Sequence, residues 1–600
     1  MDREIKKYCN PVPFSDGKRH TNPDPYVMRW CGKYYCYATD ESGVKISTSD
    51  DLVHWNECGY GIRDEAYRDY WAPSVFYTNG KFYMYYSNIP EDETDNHQEW
   101  LKVAVSDKPE GPFVWKKTFF DKFSIDSHPF MWNEKLYMFY SVNDWIGSDD
   151  RIAGTVIVMD EMVSPYEFAG KPQPVLLPSL EQEIFQKNRF GDGRDWYTIE
   201  GAATVIHGNK CYLTYSANAY VNVDYFVGTA VAENKTDIRK MKWQKYPSDY
   251  EWKPLLVKNE KVEGTGHNTI VKAPNMVDDW IVYHGRMAEE KLIQGLEQRE
   301  MRIDPLYYSG DRMFCDGPSQ ELKQVPGLPE VQKKEVQITD LQMLASAEDF
   351  YHAEYWISGE KNHIGCKYDV FMAYYDAGNY VKFSVNAGRK EFKVIECRNN
   401  IQRVLKTKEI PEKYNYAVPH LFSVEKAGRR YKIILDDTYV IETKADGNVE
   451  KKTCQMGIKP YFTKLSLHYF AMTETAELME ENLTDITAFY EVTRADAGEN
   501  GLTGQYGHMT MVKKAEQTCY TEEFQLNPHS LKNECVIRAG GQKVRFHTDE
   551  IKVYSIYHIC NEEGQSVIVN GKLLYAEKVN KDFALELKYT DIVLYRITKN

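Results

Sequence analysis

At 600 residues the chain is too long for a single hydrophobic core and calls for two to four domains. A formal net charge of −15 argues against a nucleic-acid backbone or an anionic membrane as partner, and no apolar run is long enough to span a bilayer or form a leader. Aromatic content is the unusual entry: at 14%, with 45 Tyr, it favours strands and supplies faces on which sugar rings can stack.

In chain order, a pattern first met in NPDPYVMRWCGKYYCYATD (Asn22–Asp40) keeps returning. Its second half reads GKYYCYATD, then GKFYMYYSN from Gly80, EKLYMFYSV from Glu134, NKCYLTYSA from Asn209 and DDWIVYHGR from Asp278. Each is a tight turn followed by an alternating aromatic strand. Five recurrences at this spacing predict a radial array of sheets, a five-bladed β-propeller over residues 1–324.

The first halves carry the chemistry. Asp24 lies nine residues before Lys33 and Asp126 nine before Lys135, each followed six residues on by a tryptophan, Trp30 and Trp132. Glu200 lies ten before Lys210 and His267 twelve before Asp279; the remaining unit has Trp71-Ala72. Equivalent positions near the start of inner strands surround one axis, so three carboxylates, a histidine and a tryptophan are expected in one funnel. Unpaired buried acids are too costly to be placed there for packing. Each residue alone has a plainer reading: Asp24 between two prolines as a turn, Asp126-Ser127 as a local side-chain turn, Glu200 as a solvated glutamate. The shared register favours the site.

The stretch PEDETDNHQEW (90–100) reads as a solvated loop without function. An insertion, SPYEFAGKPQPVLLPSLEQEIFQKNRFGDGRDW (164–196), carries a short helical pattern and is expected to rim the funnel, with Arg194 or Trp196 touching ligand. GDGRD is too short for a calcium-binding hand loop and reads as a turn. VPGLPEVQKKEVQ (325–337) reads as a linker. Beyond it, alternating segments such as NYVKFSVNA, RRYKIILDDTYVIET and FTKLSLHYFAM predict an antiparallel β-sandwich over 338–472, and a second follows over 473–600. The twelve cysteines lack zinc-like spacing, Cys31 and Cys36 read as small buried thiols, and the expected location is cytoplasmic with reduced thiols.

Several ordered motifs carry a family resemblance: NPDPYV with Asp24, STSDDLVHW, YWAPSVFYTNGKFYMYYS, AVSDKPEGPF, SIDSHPFMW with Asp126, YTIEGAATVIHGNKCYLTYSA with Glu200, GTGHNTIV with His267, and REMRIDPL with Arg299. The first half of the chain resembles glycoside hydrolase family 43, five-bladed propeller enzymes acting on arabinose- and xylose-containing polysaccharides. The departure is TIEGAA, where many relatives have proline after EG. By position, the resemblance implies Asp24 as general base, Glu200 as general acid and Asp126 as the carboxylate that tunes the acid and orients substrate. Arg299 resembles the arginine near these carboxylates, with Arg302 as its rival. His267 reads either as a hydrogen-bonding partner in the funnel or as a metal ligand, since the resemblance implies a calcium ion or its waters on the axis of some members.

The chemistry is coherent without the name. Inversion at a glycosidic bond needs one protonated acid and one ionised base on opposite faces of the sugar, hence two carboxyls in different environments. A third carboxylate near the acid raises its proton affinity. Trp71, Trp30 and Tyr26 are expected as apolar walls for a pentose. The reading is an α-L-arabinofuranosidase acting on terminal or side-chain units, with β-D-xylosides as a second substrate class. It needs no cofactor for the chemistry, no nucleic acid and no membrane, and its oligomeric state is open. An endo-arabinanase and a silent carbohydrate-binding propeller are the alternatives.

Overall fold

The structure is a computed structural model. It describes residues 7–599 apart from 145–151, 294, 310, 316, 349, 447–452, 479–489, 499–500, 506, 515–519, 529–531, 540, 549–553, 562–563, 571 and 578–581. The described residues are all-β, their helical turns being 3-10 turns of three residues each. The helical pattern expected in the insertion is one of these, Glu181–Glu183. The chain divides into two compact units, 1–326 and 327–600, with 275–277 and 308–310 grouped with the second.

In the first unit, antiparallel sheets follow one another along the chain. Tyr26–Ile62 and Tyr67–Thr118 each build four strands, as does the last sheet between Val262 and Cys315. The strands between Ser124 and Lys245 form one larger sheet, because Ala153–Thr155 pairs in parallel with Trp196–Thr198. The strands that open the five repeats are Tyr26–Trp30, Tyr67–Thr78, Ser124–Trp132, Trp196–His207 and Val262–Lys272. They adjoin one another in cyclic order, the last beside the first. Thr269 ties that closure, its hydroxyl donating to Pro25 O at 2.7 Å and accepting the Val27 N–H at 3.2 Å. The N-terminal segment bridges the same two sheets. Val12 N–H donates to Met301 O at 3.1 Å, and Trp55 N–H donates to Pro13 O at 3.0 Å.

The tyrosines explain how the sheets stack. On Lys33–Ala38, Tyr34 and Cys36 pack with Trp280, Val282 and Met301 of the last sheet. Tyr35 and Tyr37, on the other face, pack with Val75, Phe82 and Met84 of the second. A strand buried on both faces must be apolar at every position, and the two-residue period sends alternate rings into different cores. Much of the aromatic content is therefore inter-sheet packing.

Four of the five opening strands are broken where the site lies. The ladder loses register between Ile125 and His128, between Glu200 and Ala203, on both sides of Trp71, and on both sides of Gly266. At these breaks, and just before the first strand, residues have positive φ: Asp24 (51°), Asp69 (54°), Ala72 (37°), Asp126 (58°), Gly201 (63°), Gly264 (56°) and His267 (36°). These are β-bulges, which re-aim side chains at functional rims. The register expectation is refined here. Gly201, not Glu200, is the equivalent of Asp24, Ala72 and Asp126, each nine residues before its turn lysine. Glu200 stands one residue earlier, the place Trp71 holds in the second repeat.

In the second unit, two six-stranded antiparallel sheets share one core that includes Tyr351, Phe383, Phe422 and Phe470. The linker expectation is corrected by Val331–Ile338, a strand paired with Leu465–Met472. Its Lys and Glu residues, and a slip of the alternation at Glu335, where φ is 51°, hid a strand from which Val331 and Val336 both pack on the core. An eight-stranded and a five-stranded sheet then share a separate core around Phe524, Leu585 and Tyr595.

Candidate active site

A cavity of about 300 Å³ opens on the broken ends of the opening strands, and Asp24, Trp71, Asp126, Glu200, His267 and Arg299 all line it. The bulges that point these side chains inward also turn backbone amides away from the ladder, and those amides need partners. Three are satisfied by the preceding sheet in the ring. Thr39 Oγ1 accepts the Ala72 N–H at 2.8 Å, Ser216 Oγ accepts the His267 N–H at 2.7 Å, and His284 Nδ1 accepts the Asp24 N–H at 3.1 Å.

Asp24 is enclosed by donors. Thr39 Oγ1 donates to its Oδ2 at 2.7 Å and Arg299 Nη1 to its Oδ1 at 3.2 Å. His267 Nδ1 lies 3.5 Å and His284 Nδ1 3.4 Å from Oδ1. Burial alone would raise this carboxyl, but Arg299, the two imidazoles and Thr39 outweigh it and hold it at about 2. Arg299 is itself fixed by Glu297, whose Oε2 accepts from Nη2 at 2.7 Å, and by the Tyr220 ring 4.9 Å away.

Glu200 has the opposite surroundings. Tyr225 donates to its Oε1 at 2.8 Å. Burial, with Asp24 repelling its charge, pushes it up to about 7, against the opposing pull of Tyr225 and Arg299. Asp126, fully enclosed, accepts the Gly201 N–H at 3.1 Å on Oδ2. Burial and then the like charges of Glu200 and Asp24 raise it well above the carboxylate range. Asp126 and Glu200 therefore titrate as a pair. One cavity thus holds a carboxyl held ionised beside a coupled pair of raised proton affinity, as acid–base chemistry requires.

Of the walls expected from sequence, Trp71 lines the cavity, while Trp30 and Tyr26 do not. Trp30 pairs with Lys33 at the turn, six residues past Asp24, and packs on Tyr77 and Phe82 at 5.7 and 5.3 Å between ring centroids. Six residues of strand put it roughly 20 Å from Asp24. Tyr26 packs into the core between the first two sheets, its ring centroid 6.4 Å from that of His128. Arg302 is buried and donates to Ser319 O, which leaves Arg299 as the arginine at Asp24. From the insertion, Trp196 reaches the cavity, whereas Arg194 pairs with Asp192 at the surface. The solvated-loop reading of 90–100 is also corrected. Asn96 and His97 line the cavity and Glu99 is fully buried.

The metal reading of His267 meets a poor donor set. Calcium takes about six to eight oxygens, and among the described residues no group of three His, Cys, Asp or Glu side chains is arranged to hold a metal. His267 Nδ1 instead faces Asp24 Oδ1 and Asp126 Oδ2, the latter at 3.9 Å. Burial lowers its proton affinity, and its ring rests on Gly201. These residues do not fit a protein-built calcium cage.

Sequence reading missed Tyr225, His284, Thr39, Tyr220 and Glu297. A signal existed for one of them. The repeats end ATD, YSN, YSV and YSA, placing Thr39, Ser87, Ser141 and Ser216 six residues after the turn lysine, and Thr39 and Ser216 hold bulge amides.

The family model "Glycosyl hydrolases family 43" matches residues 12–314. An extracellular exo-α-(1→5)-L-arabinofuranosidase of Streptomyces avermitilis is 23% identical over 329 residues, covering 50% of this chain and 63% of its own length. One of the same name from Streptomyces chartreusis is 25% identical over 299 residues, covering 47% and 84%. A thermostable family-43 glycoside hydrolase of known structure is 30% identical with a TM-score of 0.45, covering 53% of this chain and 99% of that one. The names of the two relatives overturn the cytoplasmic expectation. Its thiol argument was weak in any case, since most of the described cysteines are buried in strands, where they report packing rather than compartment. With half its length matched by that family's model, the chain belongs to glycosyl hydrolases family 43.

Proposed function

We propose that the chain is an inverting α-L-arabinofuranosidase that removes terminal or side-chain arabinofuranosyl units, with β-D-xylosides as a second substrate class. Its first unit is read as a five-bladed propeller (1–324), and its second as two β-sandwiches (from about 338 and 473) without catalytic groups. One observation carries the reading: the Asp24 carboxylate accepts from Thr39 and the Arg299 guanidinium, while Glu200, in the same cavity, is met by one tyrosine hydroxyl.

Asp24, ionised, accepts a proton from water attacking the anomeric carbon. Glu200, protonated, delivers its proton to the departing oxygen on the other face of the ring. Asp24 repels charge on Glu200, and Asp126 titrates with Glu200 as a pair and offers an oxygen to sugar hydroxyls. Arg299 fixes Asp24, and Trp71 gives the pentose an apolar face. The small cavity suits one terminal sugar, and the two Streptomyces relatives carry exo-acting names.

The test is release of nitrophenol from p-nitrophenyl α-L-arabinofuranoside and β-D-xylopyranoside, followed by product analysis on linear and branched arabino-oligosaccharides. Monosaccharide as the first product supports the reading. A ladder of oligosaccharides indicates endo action, and no hydrolysis at all indicates a silent binding propeller.

A further inference from the structure

Among the described residues, one cation lining the cavity lacks a carboxylate partner. Arg189, between Ile184–Gln186 and Trp196–His207, lines the cavity with Phe185, Trp196, Asn96 and His97. Its guanidinium carbon lies 5.3 Å from the Phe185 ring centroid and 5.6 Å from that of Trp196. Nη1 donates to Gln186 Oε1 at 3.3 Å, and Nη2 meets His97 Nε2 at 3.3 Å. The other nitrogen of that imidazole is taken by Asp95 Oδ1 at 2.7 Å, so Nε2 is left to accept from the arginine.

The neighbouring arginines differ. Arg299 is neutralised by Asp24 and Glu297, and Arg194 by Asp192. With described residues, the Arg189 guanidinium makes only these two long hydrogen-bond contacts, neither to a carboxylate, and a guanidinium has five N–H donors. Flanking rings hold the planar group and exclude water from its faces, leaving its donor edge for something else. Neutral sugar hydroxyls would use those donors poorly. A carboxylate would take two in a fork and supply the missing charge.

We propose that Arg189 forms a subsite for a carboxylate-bearing sugar, a uronyl unit adjoining the glycosidic bond that is cut. This rests on the glycosidase reading above. The test compares kcat/KM of the full-length wild type and Arg189→Gln on a uronyl-bearing arabino-xylo-oligosaccharide and on the same compound with its carboxyl reduced to an alcohol. The wild type should prefer the acidic form by about tenfold or more, the scale of a charge-assisted hydrogen-bond pair. The preference should be expressed mainly in KM, disappear in R189Q and persist in part in Arg189→Lys, which keeps the charge but not the fork. A wild type that hydrolyses p-nitrophenyl α-L-arabinofuranoside but does not distinguish the two oligosaccharides overturns the subsite alone. So does a preference unchanged in R189Q. A wild type that cleaves none of the three overturns the glycosidase reading, and the subsite with it.

Discussion

Tyr225 donates its hydroxyl to Glu200 at 2.8 Å, and its ring lies parallel to that of His284, 5.9 Å away. His284, pushed well below its ordinary range by burial and then Arg299, stays neutral and accepts the Asp24 N–H. One tyrosine thus touches the proposed acid and supports the residue that holds the proposed base. The phenol stabilises the ionised form of Glu200, so Tyr225→Phe should raise its proton affinity. A general acid works protonated, and activity falls as pH rises through its value of about 7. In Y225F the alkaline limb of the kcat/KM profile should therefore move to higher pH. A limb that stays in place would remove Glu200 as the group it reports.

Thr39 links base and backbone in the other direction. It donates to Asp24 Oδ2 and accepts the buried Ala72 amide. Thr39→Val removes a bond that helps keep Asp24 ionised, so the acid limb, set by a group at about 2, should move to higher pH. The orphaned amide should also cost about 1–3 kcal/mol of stability. Denaturant titration and a pH profile of the same variant report the two effects separately.

Gly201 occupies the fourth bulge with φ of +63°, and a Cβ there would sit 3.2 Å from the His267 ring. Gly201→Ala should therefore displace the imidazole between Asp24 and Asp126 and lower kcat by about tenfold or more, a small misplacement being enough. Gly208 supplies the control. Its φ is +59°, but its Cβ would meet nothing within 4 Å. Gly208→Ala carries the same backbone strain, about 1 kcal/mol, and should leave kcat unchanged. Equal losses in both would show that strain, and not His267, is responsible.

What the sequence made legible follows from what repeats. The turn lysines of four repeats, with Asp279 in the fifth, and the alternating aromatics recur because each second strand is buried on both faces, as Tyr34 and Tyr35 show by packing into different cores. Asp24 and Asp126 could be found by spacing alone because both occupy a positive-φ position nine residues before a turn lysine. Glu200 stood one residue off that register, and only the positive φ of Gly201 explains the offset. Trp30 was misplaced because spacing records repetition without recording which end of a strand faces the cavity. His284 and Tyr225 reach the site from other strands through tertiary packing, which leaves no local signature. Asn96 and His97 sat in a charge-rich stretch whose composition resembles any solvated loop.

The division of labour between Asp24 and Glu200 predicts that only the loss of Glu200 depends on the leaving group. Nitrophenolate departs readily without a proton, whereas a sugar alkoxide does not. Glu200→Gln should therefore lose far more rate on arabino-oligosaccharides than on p-nitrophenyl α-L-arabinofuranoside. Activation of water is needed whatever departs, so Asp24→Asn should be severely impaired on both. Positioned acid–base groups contribute about a hundred- to ten-thousand-fold, a difference that steady-state kinetics resolves. Stereochemistry gives an independent check. With Asp24 acting on water rather than on the sugar, the nascent arabinose should carry inverted configuration, visible by proton NMR before mutarotation. Retention would require a covalent glycosyl-enzyme and would assign Asp24 the role of nucleophile. Equal losses of E200Q on both substrates would instead show that Glu200 is not the proton donor, and Asp126, the other protonated carboxyl in the cavity, would take that place.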